Sequence, residues 1–275
     1  MIEKLYIPTL GRVSNQKSYD GLPDKWKRKT YLVVQDQEYD EYEGFYNVIR
    51  LPKRLSGEYG RCSNAKAFII TELDNDCMYG ILDDDLSYVY TELPSSKNRP
   101  SNRPLSDEEF DYIFEEMIPS WMNDGYIHIG QESTINIPRE RDFQDNFRIS
   151  QAVYYDGRNL DHSIVDWWRT ETAEDFDCNL QLLRQGYPNR VSARYRIATS
   201  TTQAPGGCSL NRTVHIHNDA MRRLSENHKP FVTLYEKDNL MHPDDTVKKL
   251  GAKIQWKNAF KSSQGSISSL ESFFS

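Results

Sequence analysis

Short apolar runs separated by polar, turn-rich stretches set the rhythm of this chain. Lys4–Pro8, Tyr31–Gln35, Asn47–Leu51 and Met78–Leu82 are each rich in β-branched, aromatic or aliphatic residues and are bounded by turn formers or charges, the signature of strands. Ahead of the fourth run, Ala65, Phe68, Ile69 and Leu73 recur at spacings of three and four, so residues 60–73 read as a helix. This alternation predicts an α/β architecture: a Rossmann-like, mostly parallel sheet flanked by helices. Further along, Ser106 and Glu109 form a capping-box pattern opening a helix that carries Phe110, Ile113, Phe114 and Met117. Tyr126–Gly130, Arg148–Tyr155 and Arg194–Thr199 are further strand candidates. A helix starts at Thr172, carries Phe176, Leu180 and Leu183, and stops at Gln185-Gly186-Tyr187-Pro188. Asn218–Asn227 reads as helical. Pro94–Pro104, proline-rich, polar and basic, reads as a loop able to act as a lid, and the Ser-rich tail from Ser262 as loosely ordered. The punctuation suggests a main domain over 1–220, with halves of about 1–93 and 105–220, and an extension of helical or irregular character over 221–275.

Composition narrows the class. With 275 residues, 27% of them charged, the chain suits one large globular domain or two small ones. No apolar run is long enough to span a bilayer, so no membrane partner is expected. Met1–Ile7 lacks the layout of a signal peptide, and Cys62, Cys77, Cys178 and Cys208 are scattered without a paired motif. Both features point to a reducing, cytoplasmic setting. The net charge of −7 argues against bulk coating of nucleic acid. A local basic groove remains open, because Arg139, Arg141, Arg148, Arg158, Arg184, Arg190, Arg194 and Arg196 concentrate positive charge mid-chain.

The chemistry centres on Ile81-Leu82-Asp83-Asp84-Asp85-Leu86, where an apolar strand runs into three aspartates. In an extended segment Asp83 and Asp85 share a face. With no basic residue nearby in sequence, two such carboxylates repel each other unless a cation joins them, and a divalent metal carrying a phosphorylated ligand would do so. A solvated acidic turn is the plainer alternative. Four other segments could complete a site. Ile7-Pro8-Thr9-Leu10-Gly11-Arg12 offers a backbone edge and a guanidinium. Arg61 and Asn64 lie on one face of a helix start. Glu174-Asp175-Phe176-Asp177 places acids at a helix N-terminus, favoured by the helix dipole alone but equally suited to deprotonating a hydroxyl; Trp167-Trp168 lies just upstream, able to stack on a sugar or base or simply to pack. In Val214-His215-Ile216-His217, read as extended, the two histidines share a side and either could ligate a metal.

The order of these parts resembles the GT-A family of nucleotide-sugar glycosyltransferases. Asp83-Asp84-Asp85 looks like its DxD motif, and Glu174-Asp175 like the Glu-Asp motif of the inverting, family-2-like branch. Gly57 through Asn64, Glu174 through Pro188, and Pro205-Gly206-Gly207 are also similar to phage-type glycosyltransferases that act on hydroxymethylated DNA pyrimidines. The resemblance implies a GT-A fold with the catalytic domain over 1–220 and an acceptor-side C-terminal extension. It implies a nucleoside-diphosphate sugar donor, a UDP-sugar first among them, and Mn²⁺ or Mg²⁺ as cofactor. Pro8, Thr9, Arg12, Gln35, Arg61, Asn64, Asp83 and Asp84 would line the nucleotide sugar, with Asp84 the most structural of its triplet. Asp85 would hold the metal, completed by His217 or His215. Asp175, beside Glu174, would be the general base, and Trp167, Trp168 and Arg194 would meet the acceptor, a hydroxymethylated pyrimidine in DNA among the candidates. A nucleotidyltransferase of similar fold, or a non-catalytic DNA- or sugar-binding module, is the rival reading.

Overall fold

The computed structural model describes residues 1–56, 62–73, 75–92, 101–136, 140–170, 172–199, 213–238 and 247–271. Its strands are β1 (Lys4–Thr9), β2 (Thr30–Val34), β3 (Val48–Arg50), β4 (Met78–Leu82), β5 (Leu86–Glu92), β6 (Ser101–Pro104), β7 (His128–Ser133), β8 (Phe143–Asp145), β9 (Ala152–Asp156), β10 (Asn189–Thr199), β11 (Val232–Lys237) and β12 (Lys249–Ile254). Its α-helices are the short α1 (Lys17–Asp20), α2 (Asp24–Lys27) and α3 (Tyr39–Tyr42), then α4 (Cys62–Thr71), α5 (Asp107–Asp111), α6 (Ile118–Asn123), α7 (Glu174–Arg184), α8 (Val214–Asn227) and α9 (Trp256–Glu271). A π-helical stretch, Tyr112–Met117, joins α5 to α6. It falls just ahead of Pro119, whose missing N–H the wider turn accommodates.

Ten strands form one sheet in the order β3-β2-β1-β4-β9-β7-β10-β5-β6, with β8 on β10. β1, β2, β3 and β4 are mutually parallel, and β6, β7 and β10 point the same way, while β5, β8 and β9 run against them. The mostly parallel, helix-flanked sheet expected from the sequence is therefore present; of its antiparallel strands, β8 and β9 come from the half over 105–220 and β5 from the half over 1–93. β4 shows why the apolar run is continuous: Met78 and Leu82 face a core shared with Phe110, Phe114 and Ile118, while Tyr79 and Ile81 face a second core with Phe68, Ile69 and Leu182. A strand covered on both faces has no polar side. Between them, a Cβ on Gly80 would come within 2.7 Å of the Tyr154 ring and 2.8 Å of Leu5, so only glycine admits that ring.

Several local expectations change. β4 ends at Leu82, and Asp84 and Asp85 occupy a turn leading into β5, an unforeseen strand. The aspartates are therefore not arrayed along an extended segment. The end of the supposed loop, Ser101–Pro104, is the edge strand β6 on β5; an exposed edge tolerates its proline and arginine. Residues 93–100 of that loop lie outside the described residues. His215 and His217 sit in the first turn of α8, which Thr213 caps by accepting the Ile216 N–H. Helical geometry sends residues two apart to different faces, so the shared side expected for them is lost. The start of the tail, residues 262–271, belongs to α9.

The C-terminal elements pack on α7. Leu180 of α7 joins Met221, Leu224, Val232 and Ala259 in a third core. Buried His228 lies 2.9 Å from Asp177, which also accepts from Arg169 at 2.6 Å. Asp177 thus anchors the extension to the helix that begins with the acid pair.

Candidate active site

β1, β2 and β4 all end on one edge of the sheet, and the chain order switches direction between β1 and β4. Open α/β sheets place their ligands at the carboxyl ends of strands around such a point. The acidic turn lies there. Its first residue is fixed by the Asp83 N–H donating to the Gln151 carbonyl at 2.7 Å. Gln151 itself has a left-handed φ of 65°, a strained conformation of the kind that accumulates at functional sites.

Asp84 ties the exit of β1 to this turn. Its carboxylate accepts from Thr9 Oγ1 at 2.9 Å and from the Arg12 guanidinium at 2.5 Å. Gln16 Nε2 reinforces the knot by donating to Thr9 Oγ1 and to the Arg12 carbonyl, and the Arg12 N–H donates to the Tyr42 hydroxyl. Burial pushes the Asp84 carboxyl up to about 6, even though Arg12 and Thr9 pull the other way. Asp84 is thus built into the scaffold, and Thr9 and Arg12 face it. Arg12 also reaches to 3.8 Å from Asp85, whose side chain is 26% exposed. Asp83, at 27%, is as exposed as Asp85, so both outer members of the triplet open toward the edge while Asp84 is buried.

Asp83 meets a residue that the sequence reading overlooked. Lys66 Nζ, from α4, lies 3.0 Å from Asp83 Oδ1 and 3.1 Å from Glu174 Oε1. The cation joining the donor-side acids to the acid pair of α7 is therefore part of the protein. Its signal in the sequence was a lone charge in the otherwise apolar stretch Ala65-Lys66-Ala67-Phe68-Ile69-Ile70.

Glu174 and Asp175 open α7 behind Ala173, whose φ of 63° is again left-handed. Asp175 accepts the Phe176 N–H at 2.9 Å. Desolvation and the neighbouring Glu174 charge push its carboxyl up to about 6, against the pull of Arg148 and Lys66. Arg148 lies over the Phe176 ring at 4.6 Å. A small cavity of about 40 Å³ lies beside the pair, lined in part by Lys66, His128, Gln151, Trp167 and Asn179. Buried His128 contacts Asn179 Oδ1 at 3.1 Å, and burial pushes its pKa down to about 4, so it is neutral at pH 7.

The other expected residues divide. Pro8 lies within β1, opposite Val33 of β2. Gln35, at the end of β2, is 4% exposed, and its Oε1 has no hydrogen-bond partner among the described residues. Glu38, not anticipated, accepts the Gly11 N–H beside this edge at 3.0 Å. Asn64 donates to the Leu55 carbonyl and so holds the loop before α4. Arg61, with 57–60 and Pro205-Gly206-Gly207, lies outside the described residues. Trp167 is buried edge-on against Tyr155, while Trp168 is 42% exposed. Arg194 pairs with Asp142 at 2.9 Å. Among the described residues several mid-chain arginines are engaged within the fold: Arg158 pairs with Asp156, Arg190 with Asp145, and Arg196 is buried, donating to the Ser133 and Asn136 carbonyls. Arg139 lies outside the described residues. His217 Nε2 lies 2.8 Å from the Leu250 carbonyl on β12, an approach in which that nitrogen carries the proton and is not a metal ligand. His215 is exposed. Among the described residues no group of three or more His, Cys, Asp or Glu side chains is placed to hold a metal ion.

A mostly parallel sheet with an acidic turn at its carboxyl edge and an acid pair opening a later helix is the arrangement of a GT-A-type α/β fold. The chain matches the model of the TET-Associated Glycosyltransferase family over residues 3–207 and belongs to that family. Among curated proteins it is similar to the beta-glucosyl-HMC-alpha-glucosyl-transferases of Enterobacteria phages T6 and T2, at 25% identity over 80% of this chain and 79% of each relative. Among solved structures it is similar to S. aureus TarS 1–349 in complex with UDP-GlcNAc, with a TM-score of 0.50 and 10% identity. That likeness covers 82% of this chain and 66% of the TarS chain, just under two thirds of it, and bears on the fold. The rival readings as a nucleotidyltransferase or a non-catalytic module give way to the family match.

Proposed function

We propose that this glycosyltransferase moves a sugar, glucose first among the candidates, from a UDP-sugar to a hydroxyl on a hydroxymethylated or already glucosylated pyrimidine in DNA. The observation that carries the reading is the meeting of the acidic turn and the Glu174–Asp175 pair at one sheet edge, joined through Lys66. The names of the phage relatives supply the acceptor class, and the UDP-GlcNAc bound to TarS supplies the donor class.

The donor diphosphate lies along Asp85 and Arg12, with the base toward Gln35, whose carbonyl oxygen has hydrogen-bonding capacity to offer. Asp83 faces the sugar-nucleotide side. The immediate site holds Asp83, Asp84, Asp85, Glu174 and Asp175 against Arg12, Lys66 and Arg148, so an incoming diphosphate needs added positive charge. One carboxylate together with phosphate oxygens is a shell that Mg²⁺ or Mn²⁺ accepts, and Asp85 is placed to supply that carboxylate. A cation there would stabilise the charge that gathers on the leaving nucleoside diphosphate. Asp175, with its carboxyl near 6, is ionised at pH 7 yet basic enough to take the acceptor hydroxyl's proton. Trp168 and Arg194 lie on the acceptor side. A single displacement with Asp175 as base inverts the anomeric centre. The phage relatives' names specify an α-glucosyl product, and proton NMR of the product, read against the donor's configuration, decides the stereochemistry for this chain.

The test is incubation with UDP-glucose, UDP-GlcNAc and other nucleotide sugars, with and without Mn²⁺, on DNA carrying 5-hydroxymethylcytosine, 5-hydroxymethyluracil or their β-glucosylated forms. The expected result is a hexose added to the modified nucleoside by mass spectrometry, with stoichiometric UDP release. DNA left at its original mass with every donor, alongside sugar transfer to a protein or small molecule, would overturn the acceptor.

A further inference from the structure

We propose that Lys66 is a positioning residue that locks the acceptor side of the site to the donor side, holding Glu174, and with it the base Asp175, at a fixed distance from the acidic turn. This rests on the glycosyltransferase reading above.

Three elements that share no backbone ladder meet at this ammonium: α4 brings Lys66, the turn after β4 brings Asp83, and the first turn of α7 brings Glu174. The Lys66, Asp83 and Glu174 side chains are 14%, 27% and 13% exposed, so water screens the contacts only partly. Without the lysine, two carboxylates within reach of one nitrogen would face each other directly and drive the elements apart. The backbone does not fix the start of α7 by itself. Ala173 ahead of it holds a left-handed φ, and its side chain offers no cap, so the placement of this turn depends on side-chain restraints. An ammonium suits the task better than a guanidinium, because it is a compact point charge whose three donors can divide between two carboxylates. The neighbouring Asp175 carboxylate stays outside this pair of contacts; one of its oxygens accepts the Phe176 N–H and the other is left for the acceptor.

The experiment is a double-mutant cycle of Lys66→Met and Glu174→Gln in the full chain, with Lys66→Arg as the conservative variant. Steady-state sugar transfer and calorimetric UDP binding are measured for each protein. Misplacing a base by about 1 Å costs on the order of 100-fold, so Lys66→Met should lower kcat by about that factor while donor KM and UDP affinity change less than about threefold. Lys66→Arg should recover most of kcat. Adding Glu174→Gln to Lys66→Met should cost nothing further, because the bridge is already broken and the second change removes a carboxylate left unopposed. A large rise in donor KM and UDP Kd with kcat unchanged would overturn the proposal and make the lysine a phosphate ligand. Fully multiplicative single effects would overturn it as well. If Lys66→Met fails to fold, Lys66→Gln carries the same cycle. Failure of the functional reading is separable: wild-type enzyme that hydrolyses UDP-sugar but modifies no DNA loses its proposed acceptor, and the cycle is then read on hydrolysis.

Discussion

Asp84 in the turn after β4 and Asp175 in the first turn of α7 lie in one site, and both carboxyls are pushed up to about 6 chiefly by desolvation. Their surroundings differ. Asp84 has both oxygens engaged, one by Thr9 and one by Arg12. The only hydrogen bond of Asp175 among the described residues is from the Phe176 N–H of its own helix. Glu174, its neighbour, is taken up by Lys66. The same elevated carboxyl therefore marks a scaffold where partners saturate it and suits the base proposed for Asp175 where they do not. A perturbed pKa alone cannot separate the two, whereas the hydrogen-bond inventory can.

The largest expected effect breaks the site on the Asp175 side. Asp175→Asn should lower kcat by about 1,000-fold, within the range for removing a general base, and leave UDP binding unchanged by calorimetry. In the wild type kcat should rise with pH through about 6 as the carboxyl ionises. The variant's residual rate should lack that limb. Full activity in Asp175→Asn would transfer the role to Glu174 and dissolve the contrast.

Next comes Asp85. Because no cluster of three metal-competent side chains forms among the described residues, the cation should bind together with the donor and not ahead of it. In a thermal-shift assay Mn²⁺ alone should leave Tm unchanged, and Mn²⁺ with UDP should raise it by mass action. Asp85→Ala should abolish the joint shift and raise donor KM by about 100-fold, in keeping with the several kcal/mol such a cation supplies. Equal stabilisation by UDP with and without Mn²⁺ would remove the metal from the mechanism.

A smaller effect tests Asp84 as scaffold. Asp84→Ala strands the Arg12 guanidinium, itself only 9% exposed, and breaking such a buried pair costs about 3 kcal/mol. For a chain of this size that is a fall in Tm of about 6–12 °C. Replacing both partners, Arg12→Met with Asp84→Leu, should recover much of it. If Asp84→Ala melts with the wild type, the knot between β1 and the turn contributes little.

How far the sequence revealed this site follows from the range of the forces involved. Apolar periodicity is local, so β1, β2, β4, α4 and α7 could be read within a residue or two. The triplet and the acid pair were legible because each is a contiguous motif. What escaped depends on residues far apart in the chain. Lys66 stood out as a lone charge in an apolar stretch, but it could not be seen bridging Asp83 and Glu174, since neither partner is near it in the chain. The aspartates looked short of a cation because Arg12 and Lys66 approach only in the fold. β6 escaped for a different reason: Ser101–Pro104 is polar and exposed, and pairing with β5 holds it, whereas β5, with Leu86 and Tyr88 in the core, carried a strand pattern that was missed. The histidines of α8 were misread because Thr213 caps the helix ahead of a segment whose alternation mimics a strand.

The smallest effect sharpens the contrast through pH. The Asp175 carboxyl in the folded protein sits near 6, above its ordinary unfolded value of about 3.9. Its contribution to stability is therefore fully present below about pH 4 and is lost as pH rises through about 6. Asparagine does not titrate. Asp175→Asn should match the wild type in Tm near pH 4 and gain a few degrees over it by pH 7.5. Asp84 shares the same shift, so Asp84→Asn should drift in the same direction over the same window. Below about pH 6 the wild-type Asp84 carboxyl is itself neutral beside Arg12, so both variants should start near the wild type at pH 4. Scanning calorimetry at several pH values would show parallel upward slopes relative to the wild type. A flat difference for either variant would mean that its carboxyl is not raised in the folded protein.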